Sequence, residues 1–265
     1  MSRCGIAASG VFRSVFLAAC LSPAALAQQA EAGDSYAGLG LRVRPAYEGA
    51  DSQRGQAIPY LRIYGEHLFA RTTQGMLEGG IRTRPLLGIV LGVQLAYEDG
   101  RLSEESSFLD ARNFEDIDPG GSAGVHAETD WNIGPMPLNA LVRYRHNLDS
   151  DFGSQADFRL TAGILSRGRL KAGIYGQLTW ADGESTQSYF GLSVQQSAST
   201  GLPPYSAGAG LRFAEVGLLG AIDLSERWLM LWGFNAHQLL GDARDSPIVQ
   251  NEIGWLVSAG VAYRF

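Results

Sequence analysis

The chain holds four histidines, His67, His126, His146 and His237, and each could serve as a base if an acid or a nucleophile stood beside it. Serine or cysteine hydrolysis needs a nucleophile within hydrogen-bond reach of a base, and a third group to orient that base. No histidine adjoins a serine in sequence. His126 and Glu128 lie two residues apart, so a strand would put them on one face, either as a dyad or as a polar pair inside a fold. His237 precedes Asp242 and Asp245 by a few residues, an equally loose grouping. Two acidic stretches offer oxygens to calcium: Glu115, Asp116 and Asp118 in FEDIDPGG, and Asp149, Asp151 and Asp157 in LDSDFGSQAD. Neither has the spacing of an EF-hand loop, so both read as solvated turn acids. No His/Cys spacing points to a transition metal, and no cofactor is expected.

The charged residues themselves show the stronger pattern. Arg42, Arg44, Arg82, Arg84, Glu98, His126, Glu128, Arg143, Arg145, Arg159, Lys171 and Arg212 sit in segments where polar and apolar residues alternate. In RPLLGIVLGVQLAYEDG, Ile89, Leu91, Val93, Leu95 and Tyr97 share one parity, and Val90, Gly92, Gln94, Ala96 and Glu98 share the other. Period two is the pattern of a strand with two unlike faces. Twelve such strands are expected, over 36–48, 57–64, 67–73, 76–84, 88–98, 121–131, 137–147, 156–166, 169–181, 205–222, 227–238 and 254–265. In the tenth, Leu211 and Phe213 share one parity while Val216, Leu218 and Ile222 share the other. A β-bulge near Ala214–Glu215, or a break into two strands, would reconcile them.

These segments predict an all-β fold, a transmembrane antiparallel up-and-down β-barrel of about 12 strands. Counting crossings from one side puts every connection longer than five residues on the same side, as in outer-membrane barrels with short periplasmic turns and long external loops. Aromatic residues near the segment ends would form girdles at the headgroups: Tyr36, Tyr47, Tyr60, Tyr64, Tyr97, Trp131, Tyr144, Trp180, Trp228 and Tyr263. Val261, Tyr263 and Phe265 continue the alternation to the last residue and are expected to serve as a barrel-assembly signal. The listed charges would then face the lumen, together with Glu48, Glu78, Asp130, Asp157 and Arg264, because a charge facing lipid at the midplane costs ~2–4 kcal/mol. Mixed signs could pair and plug the bore, or line a wet channel that sorts solutes by charge. A soluble sandwich or lipocalin-like barrel would carry the same alternation with its apolar face turned inward.

The N-terminal residues 1–27 carry Arg3 and Arg13, no acid, and an apolar run ending in Ala25-Leu26-Ala27. They read as a signal peptide cleaved between Ala27 and Gln28, leaving 28–265 as the barrel domain. LAAC at Leu17–Cys20 offers the alternative of lipidation at Cys20. The formal net charge of −6 becomes −8 once Arg3 and Arg13 leave, which argues against nucleic acid as a partner. Both cysteines, Cys4 and Cys20, would leave with the leader, so no disulfide is expected. Outer-membrane lipid is the expected surrounding medium, in a Gram-negative cell.

Longer strings go further than periodicity. TWADGESTQSYFGLSVQQSASTGLPPYSAGAGL at Thr179–Leu211 resembles the MipA/OmpV family of outer-membrane proteins. So do LRVRPAYEGAD at Leu41–Asp51, LLGDARDSPIV at Leu239–Val249 and the closing AYRF. The resemblance implies an outer-membrane barrel without enzymatic activity. It implies a scaffold that joins a lytic transglycosylase to a bifunctional penicillin-binding protein in peptidoglycan synthesis. Porin-like channels and surface adhesins are the alternatives within that family. The family string falls largely in the loop 182–204, where Gln187, Tyr189, Phe190, Gly191, Gln196, Ser197, Gly201, Leu202 and Pro203, with Tyr205 just beyond, are the candidate functional positions. Murein enzymes work on the periplasmic side and the long loops face outward, so a scaffold would have to use the short turns or the segment 28–35.

Overall fold

The structure, a computed structural model, describes residues 35–265 apart from positions 74 and 87. The signal-peptide cleavage between Ala27 and Gln28 and the alternative lipidation of Cys20 lie outside the described residues. Twelve antiparallel strands run in sequence around a closed barrel. They are β1 (Tyr36–Pro45), β2 (Gln53–Tyr64), β3 (Leu68–Thr73), β4 (Met76–Leu86), β5 (Ile89–Glu98), β6 (Gly120–Ile133), β7 (Met136–Asn147), β8 (Ser154–Arg167), β9 (Leu170–Ala181), β10 (Gly210–Asp223), β11 (Trp228–Leu239) and β12 (Ile253–Arg264). The seam is β1 against β12, with Tyr36 opposite Arg264 and Val43 opposite Val257. Closure pairs every strand on both sides, which is what lets a sheet cross hydrocarbon. The residues are those that favour a pleated surface: β-branched and aromatic side chains on one face, small or polar ones on the other.

The expected strand order and number hold, with local corrections. β1 ends at Pro45, before the expected Glu48, because proline offers no ladder donor. The tenth strand is continuous but starts at Gly210, five residues later than expected. Its bulge lies between Leu211 and Phe213, not at Ala214–Glu215. Parity changes at Arg212, and the side chains that follow keep their proper faces.

The outward face is apolar and unburied. Leu39, Val93 and Val216 are 74, 62 and 63% exposed, values that a water-soluble protein would avoid in so continuous a belt. Among the described residues no helix is long and apolar enough to cross a membrane; the strands make the crossing. Tyr97, Trp131, Tyr144, Trp180 and Trp228 stand exposed near strand ends, and Tyr263 meets Trp228 edge-on at 5.2 Å. Four other expected girdle residues do not. Tyr36 and Tyr60 pack against the buried Leu229, Leu231 and Ala262. The Tyr64 ring lies under the Arg82 guanidinium at 4.1 Å. Tyr47 lies past the end of β1, buried, with its hydroxyl donating to the Ile248 carbonyl at 2.8 Å.

The largest apolar core is outside the barrel. Four long outer connections, 46–52, 99–119, 182–209 and 240–252, bring together Tyr47, Leu109, Phe190, Leu192, Ala243 and Ile248, with Leu239 from the end of β11. The stretch read as a Ser/Gln/Thr-rich loop contains two helices, α2 (Gly183–Phe190) and α3 (Val194–Thr200); single turns α1 (Ser107–Asp110) and α4 (Gly241–Arg244) flank them in the neighbouring connections. The local sequence explains both longer helices. Asp182 caps α2 by accepting from the Ser185 amide at 2.8 Å. Ser193 and Gln196 form a reciprocal capping box on α3, and Gly201 ends it in the left-handed conformation at φ 71°.

Two exposed valines separate the lipid-facing belt from the water-facing cap. Val93→Arg, at the middle of β5, is expected to destabilise the refolded protein in phospholipid vesicles by ~2–4 kcal/mol. Val194→Arg, on α3 and 78% exposed, is expected to change stability by less than about 0.5 kcal/mol. Urea unfolding followed by tryptophan fluorescence measures both, and equal effects would contradict the assignment of the two surfaces.

Candidate functional site in the bore and its cap

Inward parity fills the bore with side chains in three levels. At the periplasmic end an apolar cluster, Leu229, Leu231 and Ala262 with Tyr36 and Tyr60 against them, stands beside the ion pair of Arg264 and Asp223 at 2.7 Å. The middle level is ionic. Glu78 of β4 accepts from Arg71 Nε at 2.6 Å, from Arg143 Nη1 at 2.8 Å and from Gln94 Nε2 at 2.8 Å. Asp157 of β8 accepts from Arg143 Nη2 at 2.7 Å, from Arg145 Nη2 at 3.2 Å and from the Thr179 hydroxyl at 2.8 Å. Arg71 also reaches Glu128 at 2.8 Å, and Arg145 pairs with Glu98. Arg143, Glu78, Gln94 and Asp157 are each at most 2% exposed. Such burial is tolerable for ions only when partners surround them. Glu78 and Asp157 each have two guanidinium neighbours, and Arg143 bridges β4 and β8 from its own strand, β7.

The opposite wall makes room for these long side chains with glycine. A Cβ at Gly217 would lie 2.4 Å from the Tyr175 ring, and the Tyr175 hydroxyl uses that approach to donate to Glu215 at 2.5 Å. Near the outer end, Arg42 donates to Gln56 Oε1 at 2.9 and 2.6 Å and pairs with Asp99, while Arg212 pairs with Glu48 at 2.7 Å.

Most of the charges expected to line the lumen meet there: Arg42, Arg44, Glu98, His126, Glu128, Arg143, Arg145, Arg159 and Arg212. The other three stand nearer the periplasmic end. Arg82 lies over Tyr64, and Arg84 and Lys171 are exposed near the periplasmic ends of β4 and β9. Sequence reading missed Arg71, Gln94, Gln177 and Thr179, which complete the buried hydrogen bonds. Gln94 alternates with Val93 and Leu95, a polar residue in an otherwise apolar strand, and that signal was available. Arg71 lies in LFARTT, too short a strand for its parity to be read.

The proposed dyads dissolve. His126 Nδ1 lies 2.6 Å from Gln94 Oε1, whereas Glu128 takes Arg71 and Asn139. Asp242 accepts from the Gly208 amide at 2.7 Å, Asp245 pairs with Arg244, and His237 packs near Phe213. Asp157 belongs to the bore and not to a calcium loop with Asp149 and Asp151, and Asp116 accepts from the Ser103 amide at 2.6 Å. That backbone bond holds the exposed Asp116 carboxyl below its ordinary pKa. One serine–histidine contact does form across strands: Ser154 Oγ lies 2.9 Å from His146 Nδ1 and also 2.9 Å from the Tyr144 hydroxyl. Ser154 is covered, and among the described residues no carboxylate forms an ion pair with His146. A string with the spacing G-x-S-x-G, Gly120–Gly124, also escaped the sequence reading. It lies within β6, not at a strand-to-helix turn, and Ser122 Oγ donates to Glu98 at 2.6 Å.

The candidate residues of the 182–204 loop build the cap itself. Gln187 accepts from the Ala207 amide at 2.8 Å. The Tyr189 and Phe190 rings flank the Arg212 guanidinium at 4.4 and 5.2 Å, and burial raises the Tyr189 hydroxyl pKa. Gln196 completes the α3 capping box, Ser197 Oγ donates to the Leu202 carbonyl at 2.6 Å, and Leu202 packs on the cap core. The Tyr205 hydroxyl donates to the Asp242 carbonyl at 2.8 Å, and Pro203 is exposed. Gly191 is held by space: a Cβ there would fall 2.5 Å from the Gln187 carbonyl oxygen and closer still to its side chain.

A family profile described as "MltA-interacting protein MipA" matches residues 37–265. No curated protein matches the chain. Solved structures similar to it include the translocator domain of the autotransporter NalP from Neisseria meningitidis, at 12% identity and TM-score 0.46, covering 88% of each chain. Outer-membrane expressed OmpT of Vibrio cholerae is 6% identical at TM-score 0.41, covering 88% of this chain and 97% of that one. The NanC porin is 7% identical at TM-score 0.39, covering 86% and 100%.

Two substitutions test the two layers. Arg143→Leu leaves Glu78 and Asp157 short of a partner and is expected to cost ~3–5 kcal/mol in guanidinium unfolding, against less than about 0.5 kcal/mol for Lys171→Gln at the rim. Gly191→Ala is expected to loosen the cap alone: limited proteolysis should cut within 183–209 faster, while the barrel keeps its heat-dependent mobility on gels.

Proposed function

This chain belongs to the family described as MltA-interacting protein MipA, and from that premise we propose that this outer-membrane barrel is a stoppered, non-enzymatic scaffold. The observation that carries the reading is the ionic level around Arg143, Glu78 and Asp157, nine-tenths or more buried across the bore. A conducting pore needs a continuous aqueous path; here, opening one would strip partners from at least three ions at once.

The partners proposed are those the resemblance implies: a lytic transglycosylase and, through it, a bifunctional penicillin-binding protein. The outer connections are occupied in covering the mouth. Among the described residues, the surface that faces a periplasmic partner includes the short turns 65–67, 134–135, 168–169 and 224–227.

A photocrosslinking residue tests the side of docking. Placed at Gly134 or Ser225 in intact cells, it is expected to capture a lytic transglycosylase; placed at Gln195 on α3 it is not. Capture only from Gln195, or stepwise conductance by the purified wild-type protein in planar bilayers, would overturn the scaffold reading.

A further inference from the structure

Between the cap and the ionic level lies a cavity of about 220 Å³. Six guanidinium groups and five carboxylates line it. Charge there is unevenly matched. Arg42 and Arg44 share one counter-ion, Asp99. Arg101 makes no ion pair among the described residues, Asp116 acting on it only from beyond ion-pair distance: it donates to the Tyr189 carbonyl at 2.6 Å and lies over the Phe114 ring at 5.6 Å. It is nevertheless 7% exposed, held there by the bridge of its backbone to Ile117. Burial pushes the Arg101 pKa down, the direction expected for a cation short of negative charge.

The donors are also incomplete. Arg44 Nε, Arg101 Nε, Arg145 Nε and Arg212 Nη1 are buried and make no hydrogen bond to protein. Buried charged donors are seldom left so. Water could satisfy the N–H groups, but it would not neutralise the surplus charge. An oxyanion would do both, since its oxygens suit the fork of a guanidinium.

We propose that this cavity is a binding site for the carboxylate or phosphate group of a small solute, held by Arg44 and Arg101 with Arg145 and Arg212 at its edges. The site stands on the bore and cap geometry, and it is independent of whether the periplasmic turns hold an enzyme. The buried ionic level beneath closes the cavity toward the periplasmic side, so the solute is bound without being passed through.

Isothermal titration of the refolded barrel in detergent, with inorganic phosphate and with succinate at constant ionic strength set by chloride, tests the proposal. Saturable binding of at least one is expected, and the stronger of the two names the headgroup class. Arg44→Gln and Arg101→Gln should each weaken it by about tenfold or more, while Lys171→Gln leaves it unchanged. Should Arg101→Gln open the cap, as protease sensitivity would reveal, Arg44→Gln on the barrel wall decides alone. No saturable heat from either anion, or binding indifferent to Arg44→Gln, overturns the site.

Discussion

Hydrocarbon offers no hydrogen bond to a peptide group, and the rest of this molecule follows from that constraint. A sheet can sit in lipid only if its last strand returns to its first, as β12 does to β1. Closure then fixes an inside and an outside for every strand. Because the medium outside is apolar, the usual sorting inverts: leucine and valine turn outward, and arginine, glutamate and glutamine turn to the axis. Twelve strands enclose a bore that long side chains can span, which is why Arg143 touches carboxylates from both β4 and β8. A wider barrel would leave those ions in water, and a narrower one would have no room for them.

The ionic filling has a consequence for rigidity. In a low-dielectric interior a charge without a partner is costly, so a network in which each carboxylate holds two or three donors resists piecemeal opening. Glu78 cannot move without releasing Arg71, Arg143 and Gln94 together. The glycines of the far wall contribute by absence, since Gly217 lets the Tyr175 ring lie flat enough to reach Glu215. Specificity of packing here comes from polar geometry, where a soluble domain would rely on interdigitated aliphatic side chains.

How much of this was legible in the sequence depends on range. Period two is a local signal, and it carried the strand number, the side of each loop, and the inward placement of residues such as Arg143 and Glu98. Which ions pair is a matter of register between strands distant in sequence, and nothing in the residues near Glu78 announces Arg143 65 positions away. The dyad suggested by His126 and Glu128 failed for the same reason: partners across the ladder, Gln94 and Arg71, competed better than the neighbour two residues on. The contact of Ser154 with His146 comes from the β7–β8 register, which spacing along the chain does not reveal. The cap was missed because its helices are short and rich in Ser, Gln and Thr, a composition that reads as loop. Their caps were nonetheless written plainly, Asp182 before α2, and Ser193 with Gln196 and Gly201 around α3. Tyr47 reads as a girdle residue only if barrel parity is extended past Pro45, where β1 stops.

The location of the apolar core bears on what the long loops are for. A lipid-embedded cylinder has nowhere to bury a conventional core, since its outer face is already in hydrocarbon and its bore holds ions. The largest group of apolar side chains removed from water by packing on each other lies above the mouth, where Leu109, Phe190, Leu239 and Ile248 are packed to near-zero exposure. Leu239 ends β11 while Ile248 lies in the connection that follows, so the cap core is anchored on the barrel itself. Loops that are surface tethers for partners keep their aromatic residues exposed; here Tyr189 and Phe190 are turned onto Arg212 instead. Length and sequence distinctiveness in an outer loop therefore do not by themselves mark a receptor surface. In this barrel they encode a lid whose side chains complete the wall of the space beneath it.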